Sequence, residues 1–327
     1  MSDTMISRRA ALAGGAAALL PLGSALAAYP ERTIRWIVGY APGGGTDILA
    51  RLVGGAMSPR LGQTVIVENR PGAATNIGAE AAAKSPPDGY TLFTAGIETL
   101  VYNPALYKTL PFDPERDFKP IGLMARFHLV LTVKKDSQAK TAKELIERAR
   151  AEPGKIDYGS PGPGSPHRLA MERLAREAGV RFNHVPYRGM SPVITDLLGG
   201  TIESAIVDYA AGGEVLRSGT LRPLAICSAK RLDSLPDVPT VEEALGLKGF
   251  EAYAWQGLVV PAQTPDAIAS RLTEELAAAL AQEPVRNRMR EIGLEVLTGG
   301  PQEFKSLIQA ERAVWVPLIR DLGITLE

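Results

Sequence analysis

The stretch that most constrains this chain runs from Ile34 to Val53. Ile34, Trp36, Ile37 and Val38 form an apolar run suited to a buried strand, and Pro42-Gly43-Gly44-Gly45 follows as a turn that only glycine-rich backbone makes easily. Ile48, Leu49, Leu52, Val53 and Ala56 then recur at helical spacing. Strand, glycine turn and helix start aim free backbone N–H groups and the positive end of a helix dipole at one point, which favours an anion. The competing reading is a tight β–α connection with no ligand.

The rest of the chain repeats the theme. Gln63–Val67, Tyr90–Thr94 and Ile156–Gly159 are expected as strands, and Asn76–Lys84 and Ala142–Ala151 as helices, with Asn76 as a cap and Ile77, Ala81 and Ala82 facing inward. This β-α-β-α-β alternation implies a parallel sheet covered by helices. A second glycine loop, Ser160-Pro-Gly-Pro-Gly-Ser-Pro-His167, ends in Ser165-Pro166, a cap followed by proline in the first turn. A third spans Val185 to Pro192, with Ser191-Pro192 in the same roles. Ile202–Val207, ending at Asp208, and Leu221–Ser228 are further strands. Two long apolar segments, Ile121–Val133 and Ala252–Pro261, are expected to cross between two lobes. Helices are expected over 268–281, 285–292 and 301–322.

With 327 residues, 45% of them hydrophobic, the chain can bury a large core, and two domains are the default. Formal net charge is zero and no Arg/Lys tract is interleaved with aromatics, so nucleic acid is not an expected partner. Cys227 is the single cysteine, which excludes an intrachain disulfide; in Leu224-Ala-Ile-Cys227 it is expected as a packed thiol. At the N-terminus, Arg8-Arg9, an apolar run from Ala10 to Leu20 and Ala25-Leu26-Ala27 form an export signal over residues 1–27, of the twin-arginine type. The run is too short and small to span a membrane, so an exported, soluble mature protein in the periplasm is expected.

Enzyme readings are weaker. Ser165, His167 and Asp208 supply triad residue types, but Ser165 already serves as a cap, lies two residues from His167, and no Gly-x-Ser-x-Gly elbow is present. His128, His167 and His184 have no partner at metal-ligand spacing. Gly43-Gly44-Gly45 lacks the full dinucleotide fingerprint. No catalysis, metal or cofactor is expected.

The residues that remain carry a resemblance. They are Tyr29-Pro30, Pro42-Gly-Gly-Gly-Thr-Asp47, Val67-Glu-Asn-Arg-Pro-Gly-Ala73, Asn76-Ile-Gly-Ala79, Pro87-Asp-Gly-Tyr-Thr91 and Asn103-Pro-Ala-Leu-Tyr107. They continue through Tyr158-Gly-Ser160, Gly164-Ser165 with His167, His184-Val-Pro-Tyr-Arg-Gly189, Asp196-Leu-Leu-Gly-Gly200, Ser228-Ala-Lys-Arg231 and Leu235-Pro-Asp-Val-Pro-Thr240. Over essentially the whole mature chain the sequence resembles the substrate-binding proteins of tripartite tricarboxylate transporters, the Bug or TctC family. The resemblance implies an α/β, two-lobed periplasmic-binding-protein fold of type II, with lobe 1 over 28–128 plus 253–327, lobe 2 over 129–252, and a ligand cleft between them. It implies a monomeric receptor for a small organic acid that serves the transporter's membrane subunits. A periplasmic sensor that signals to a membrane kinase is the second function class. Carried over by position, the ligand-binding residues are Gly43, Gly44, Gly45, Thr46, Asp47, Gly164, Ser165, His167, Tyr187, Arg188, Gly189 and Asp208.

Two departures from the family pattern bear on the ligand. Pro163 and Pro166 each remove a possible N–H donor. Glu98 stands where family members usually place small or polar residues, and a carboxylate there repels an anion and attracts an amine. Glu98 is therefore added to the candidate site, and a monocarboxylate or an amine-bearing acid is favoured over a simple tricarboxylate. Trp255, on the proposed return crossing, is expected to report closure.

Overall fold

A computed structural model describes residues 29–326, so the expected export signal lies outside the described residues. No helix among the described residues is long and apolar enough to cross a membrane. The first part of the chain runs β1 (Ile34–Val38), α1 (Gly45–Leu61), β2 (Val65–Asn69), α2 (Asn76–Ala83), β3 (Thr91–Gly96), a single π-type turn (Glu98–Tyr102), α3 (Asn103–Leu106) and the 17-residue β4 (Phe118–Lys134). The middle runs α4 (Ala142–Ala151), β5 (Asp157–Ser160), α5 (Pro166–Ala178), β6 (Asn183–Pro186), α6 (Met190–Gly199), β7 (Ser204–Asp208), α7 (Tyr209–Arg217), β8 (Leu221–Ile226) and α8 (Val241–Leu245). The last part runs β9 (Tyr253–Pro261), α9 (Asp266–Ala281), α10 (Glu283–Glu291), β10 (Leu294–Val296) and α11 (Pro301–Asp321).

The helix ends follow local chemistry. Ser165 caps α5 by accepting the Arg168 amide, with Pro166 in the first turn and Gly179 closing the other end at φ 64°. Thr240 and Glu243 form a reciprocal capping box on α8. Gly62, at φ 70°, ends α1.

Strand β4 holds the fold together because it belongs to two sheets. Its first part, Phe118–His128, pairs antiparallel with β9, and Ala125–Phe127 also pairs β10. On the far side of β9 lies β3, followed by β1 and β2, which pair parallel. The second part of β4, from Leu129 to Lys134, is flanked by β7 and β8, both antiparallel, and β5 and β6 extend that sheet beyond β7. The fold is therefore an α/β, two-lobed periplasmic-binding-protein fold with helices on the sheets. One core spans both parts, and a satellite core of Val130, Val193, Leu197, Val207 and Leu216 lies where α6 and α7 cover the second sheet.

Several local expectations are corrected. β4 crosses between the sheets as expected, but β9 pairs only with β3 and β4 of the first sheet. The return passes earlier, where Cys227 N–H bonds Leu129 O and Ala252 N–H bonds Cys227 O. Trp255 therefore sits wholly inside the first half, edge-on to Phe304. Ile77 is 51% exposed, and Asn76, Gly78, Ala79 and Ala82 form the inner face of α2 instead. α6 begins at Met190 with Gly189 as its cap, so Ser191 and Pro192 lie inside its first turn. Cys227 is buried as expected, and desolvation pushes its thiol up to about 12.

Candidate ligand-binding site

Three helix N-termini converge between the two halves. The start of α1 approaches that of α7: a Cβ on Gly45 would lie 3.2 Å from the Ala210 Cβ. The start of α5 joins them, because His167 Nε2 lies 3.2 Å from Asp208 Oδ2, and Asp208 is the cap of α7. The first-turn amides of an α-helix have no intrahelical acceptor. Those of Gly45, Thr46 and Asp47 find none in loops or side chains among the described residues. The meeting point is thus rich in backbone donors and in dipole ends of one sign.

Within the first glycine loop, Gly43 and Gly44 are exposed at the rim, and Thr46 and Asp47 are buried. Asp47 is spent on the loop itself. Its carboxylate accepts the Gly43 amide at 2.9 Å, Asn69 Nδ2 at 2.9 Å and Arg51 Nε at 3.0 Å. Burial works against the charge, but Arg51, the Gly43 amide and Asn69 outweigh it and hold the carboxyl below its usual range. Asp47 therefore organises the loop, and its oxygens are already occupied.

From the second half, Gly164, Ser165, His167 and Asp208 are all buried. A Cβ on Gly164 would meet Ala74, Leu106 and Leu326 of the first half at 3.3 Å each. Ser165 Oγ faces its own helix as a cap, 3.3 Å from the Arg168 amide. Asp208 does two things at once, accepting the Ala211 amide with Oδ1 and facing His167 with Oδ2. The third glycine loop lies further out. The Tyr187 hydroxyl donates to Asp196 at 2.7 Å, the Gly189 amide donates to Pro161 O, and Arg188 is exposed with no ion pair among the described residues. The third N-terminus at the meeting point is thus that of α7, whereas the sequence pointed to the loop before α6.

Glu98 turns inward. Only 7% exposed, it accepts the Tyr40 hydroxyl at 2.6 Å. Burial pushes its carboxyl above the usual range, offset in part by Tyr40, its own amide and the His167 imidazole across the cleft. Gln256, opposite Gly96 in the β3–β9 register, reaches Tyr40 Oη with Nε2 at 3.4 Å. Tyr40 and Gln256 were missed in the sequence, although Gln256 is the one amide side chain in the apolar run of β9.

A turn at Ala73–Thr75 also borders the site, with three successive non-glycine residues at positive φ (46°, 48° and 75°). Asn103 Nδ2 holds it through Ala74 O, and Thr75 Oγ1 meets Thr99 Oγ1 at 2.6 Å. Such strain persists only where the surroundings over-determine it, and here it presents Ala74 to Gly164. Two surface cavities, about 350 Å³ beside Arg312 and about 120 Å³ beside Thr273, touch none of these residues. Among the described residues no group of three His, Cys, Asp or Glu side chains could hold a metal ion.

Comparison with known proteins shows the family. The profile of the tripartite tricarboxylate transporter family receptor matches residues 49–324. The UPF0065 protein in the tcbD-tcbE intergenic region of Pseudomonas sp. (strain P51) is 36% identical, over 96% of this chain and 94% of its own. The structure of R. palustris Rpa4515 with adipate superposes with a TM-score of 0.86 at 35% identity, covering 91% of this chain and 99% of that one. MatC from Rhodopseudomonas palustris with bound malate gives 0.83 at 31% identity, covering 89% and 100%.

Proposed function

Because the chain belongs to the tripartite tricarboxylate transporter family of receptors, we propose that it is an extracytoplasmic solute-binding receptor. It captures a small carboxylate-bearing ligand between lobes formed by 28–128 with 253–327 and by 129–252, and delivers it to the membrane subunits of a tripartite transporter. The observation that carries this reading is the meeting of the α1, α5 and α7 N-termini, one from the first half and two from the second. An anion placed there is stabilised more by both halves together than by either alone, so binding favours the closed arrangement. The adipate and the malate of the two superposed structures support a carboxylate as the ligand class.

Of the residues expected at the ligand, Gly45, Thr46, Gly164, His167, Glu98 and Asp208 are proposed to face it. Gly43 and Gly44 cover its rim, Asp47 and Ser165 set the loops and helix starts, and Tyr187, Arg188 and Gly189 flank the mouth. The protein acts as a monomer in the periplasm, after twin-arginine export. No catalytic step is assigned.

A thermal-shift and small-angle-scattering screen with short carboxylates tests the receptor reading. A ligand at ~100 times its Kd adds ~2.7 kcal/mol of stability. Compaction without turnover supports the reading, and no response to any carboxylate refutes it. Uptake of the ligand into vesicles carrying the membrane subunits, with and without this protein, tests delivery. Lysine in place of both Arg8 and Arg9, followed by cell fractionation, tests the export route; unchanged periplasmic delivery excludes it.

A further inference from the structure

The wall facing the helix N-termini has the opposite polarity. Tyr40 has one hydroxyl proton, and it lies on Glu98 Oε2 at 2.6 Å. Its oxygen must therefore accept from Gln256, which presents Nε2 to Tyr40 and turns Oε1 away. That Oε1 is buried with no partner among the described residues, on a side chain only 3% exposed. Across the cleft, His167 is 9% exposed; its Nε2 faces Asp208 and its Nδ1 is likewise buried and unpartnered.

One wall thus gathers the Glu98 carboxylate and the Gln256 carbonyl, while the Asp208 carboxylate lies on the other side, beside His167 at the start of α7. No lysine or arginine is paired with either acid among the described residues. Arg51, in α1 just after the glycine loop, is engaged with Asp47 and Asn69. A buried acceptor without a donor is costly, and a second carboxylate placed here would add repulsion. An ammonium group answers both problems, since it brings three donors and a positive charge.

Building on the receptor reading, we propose that the ligand is an amine-bearing carboxylic acid, its carboxylate at the α1, α5 and α7 N-termini and its cationic nitrogen at Glu98 and Gln256 Oε1. The site is then bipolar: Glu98 sets specificity by rejecting a diacid of the same length.

Calorimetry with matched probes tests this. Adipate is paired with ε-aminocaproate, succinate with γ-aminobutyrate, and alanine stands for the α-amino acids, each on the wild type and on Glu98→Gln. The wild type is expected to bind one of the amine-bearing acids at least ~10-fold more tightly than the diacids, a gap of ~1.4 kcal/mol. Glu98→Gln, which keeps shape but not charge, should lose at least that factor for the amine and hold or gain affinity for the diacid. The wild-type preference alone decides the matter if the variant folds poorly. Diacid binding with closure and no amine preference overturns this inference and leaves the receptor reading standing. No binding by any of the five probes overturns this inference, and the receptor reading is then decided by the wider carboxylate screen.

Discussion

The guanidinium of Arg173 in α5 lies 5.7 Å from the ring centre of Trp315 in α11, and so joins the two halves of the molecule. Arg173 also donates to Glu251 O at 2.8 Å and sits over Phe250 at 4.9 Å. Trp315 Nε1 is held by Glu311 at 2.7 Å. A cation over an indole alters its emission environment, and this contact changes if the halves separate. Trp315→Phe is expected to abolish the fluorescence change on ligand addition, whereas Trp255→Phe retains it. Loss of the signal in Trp255→Phe alone would place the reporter in the first-half core.

Gly164 limits how closely the halves meet. A Cβ there already touches Ala74, Leu106 and Leu326 at 3.3 Å, and valine would add two methyl groups beyond it. Gly164→Val is expected to weaken ligand binding ~10-fold or more, about 1.4 kcal/mol, with Gly164→Ala between it and the wild type. The radius of gyration with ligand should stay at the open value while the melting temperature of the ligand-free protein hardly moves. Undiminished closure by scattering would exclude this role.

Asp47→Ala removes the acceptor of Gly43 N–H, Asn69 and Arg51 together. Losing these partly buried hydrogen bonds to a charged acceptor costs ~1.5–3 kcal/mol, so denaturant unfolding should move by that amount. Asp47→Asn, which keeps one carbonyl oxygen, should lose less. Because the loop itself is disordered by the change, ligand affinity falls with stability. A variant that bound ligand poorly at unchanged stability would instead place Asp47 on the ligand.

His184 makes stability depend on pH. Burial first, and Arg168 second, lower its pKa from 6.5 to about 4, and its Nε2 lies 2.7 Å from Ser160 Oγ. Below about pH 6.5 the unfolded chain takes up a proton that the folded ring refuses, so stability falls as pH drops towards about 4. Glu98 acts in the opposite sense: its raised carboxyl contributes stability at low pH that is lost as pH rises through the folded value. His184→Gln is expected to flatten the decline in melting temperature between pH 7 and pH 5. An unchanged slope would remove His184 as its source.

Local chemistry was legible in the sequence wherever it acts over a few residues. The turn at Gly43–Gly45, the Ser165 cap and the alternation of strands and helices all depend on neighbours, and they stand where the pattern put them. What depends on pairing was not legible. Apolar run length says that β9 is buried but not which strands flank it, so it was mistaken for a crossing. α7 went unseen because Gly212 and Gly213 weaken its helical pattern; its signal was Asp208, a helix cap at a strand end. Glu98 faces inward because Tyr40 and Gln256 hold the far side of its environment, and they come from just past β1 and from within β9.

In the first sheet β9 lies between β3 and β4, although it follows β4 in the chain by well over a hundred residues. The sheet therefore has a gap at its centre until the ribosome has passed Pro261. β3 and the first part of β4 expose unpaired ladder edges throughout that interval, while every strand that pairs with the second part of β4 has already been made. Such non-local pairing is slow, and open edges invite association with other chains. The middle of the polypeptide can assemble during synthesis, but the half that carries Glu98 and the first glycine loop must wait for the tail. Any nascent chain released before β9 would thus be a hazard to its neighbours, and an export route that accepts only finished folds would screen it out.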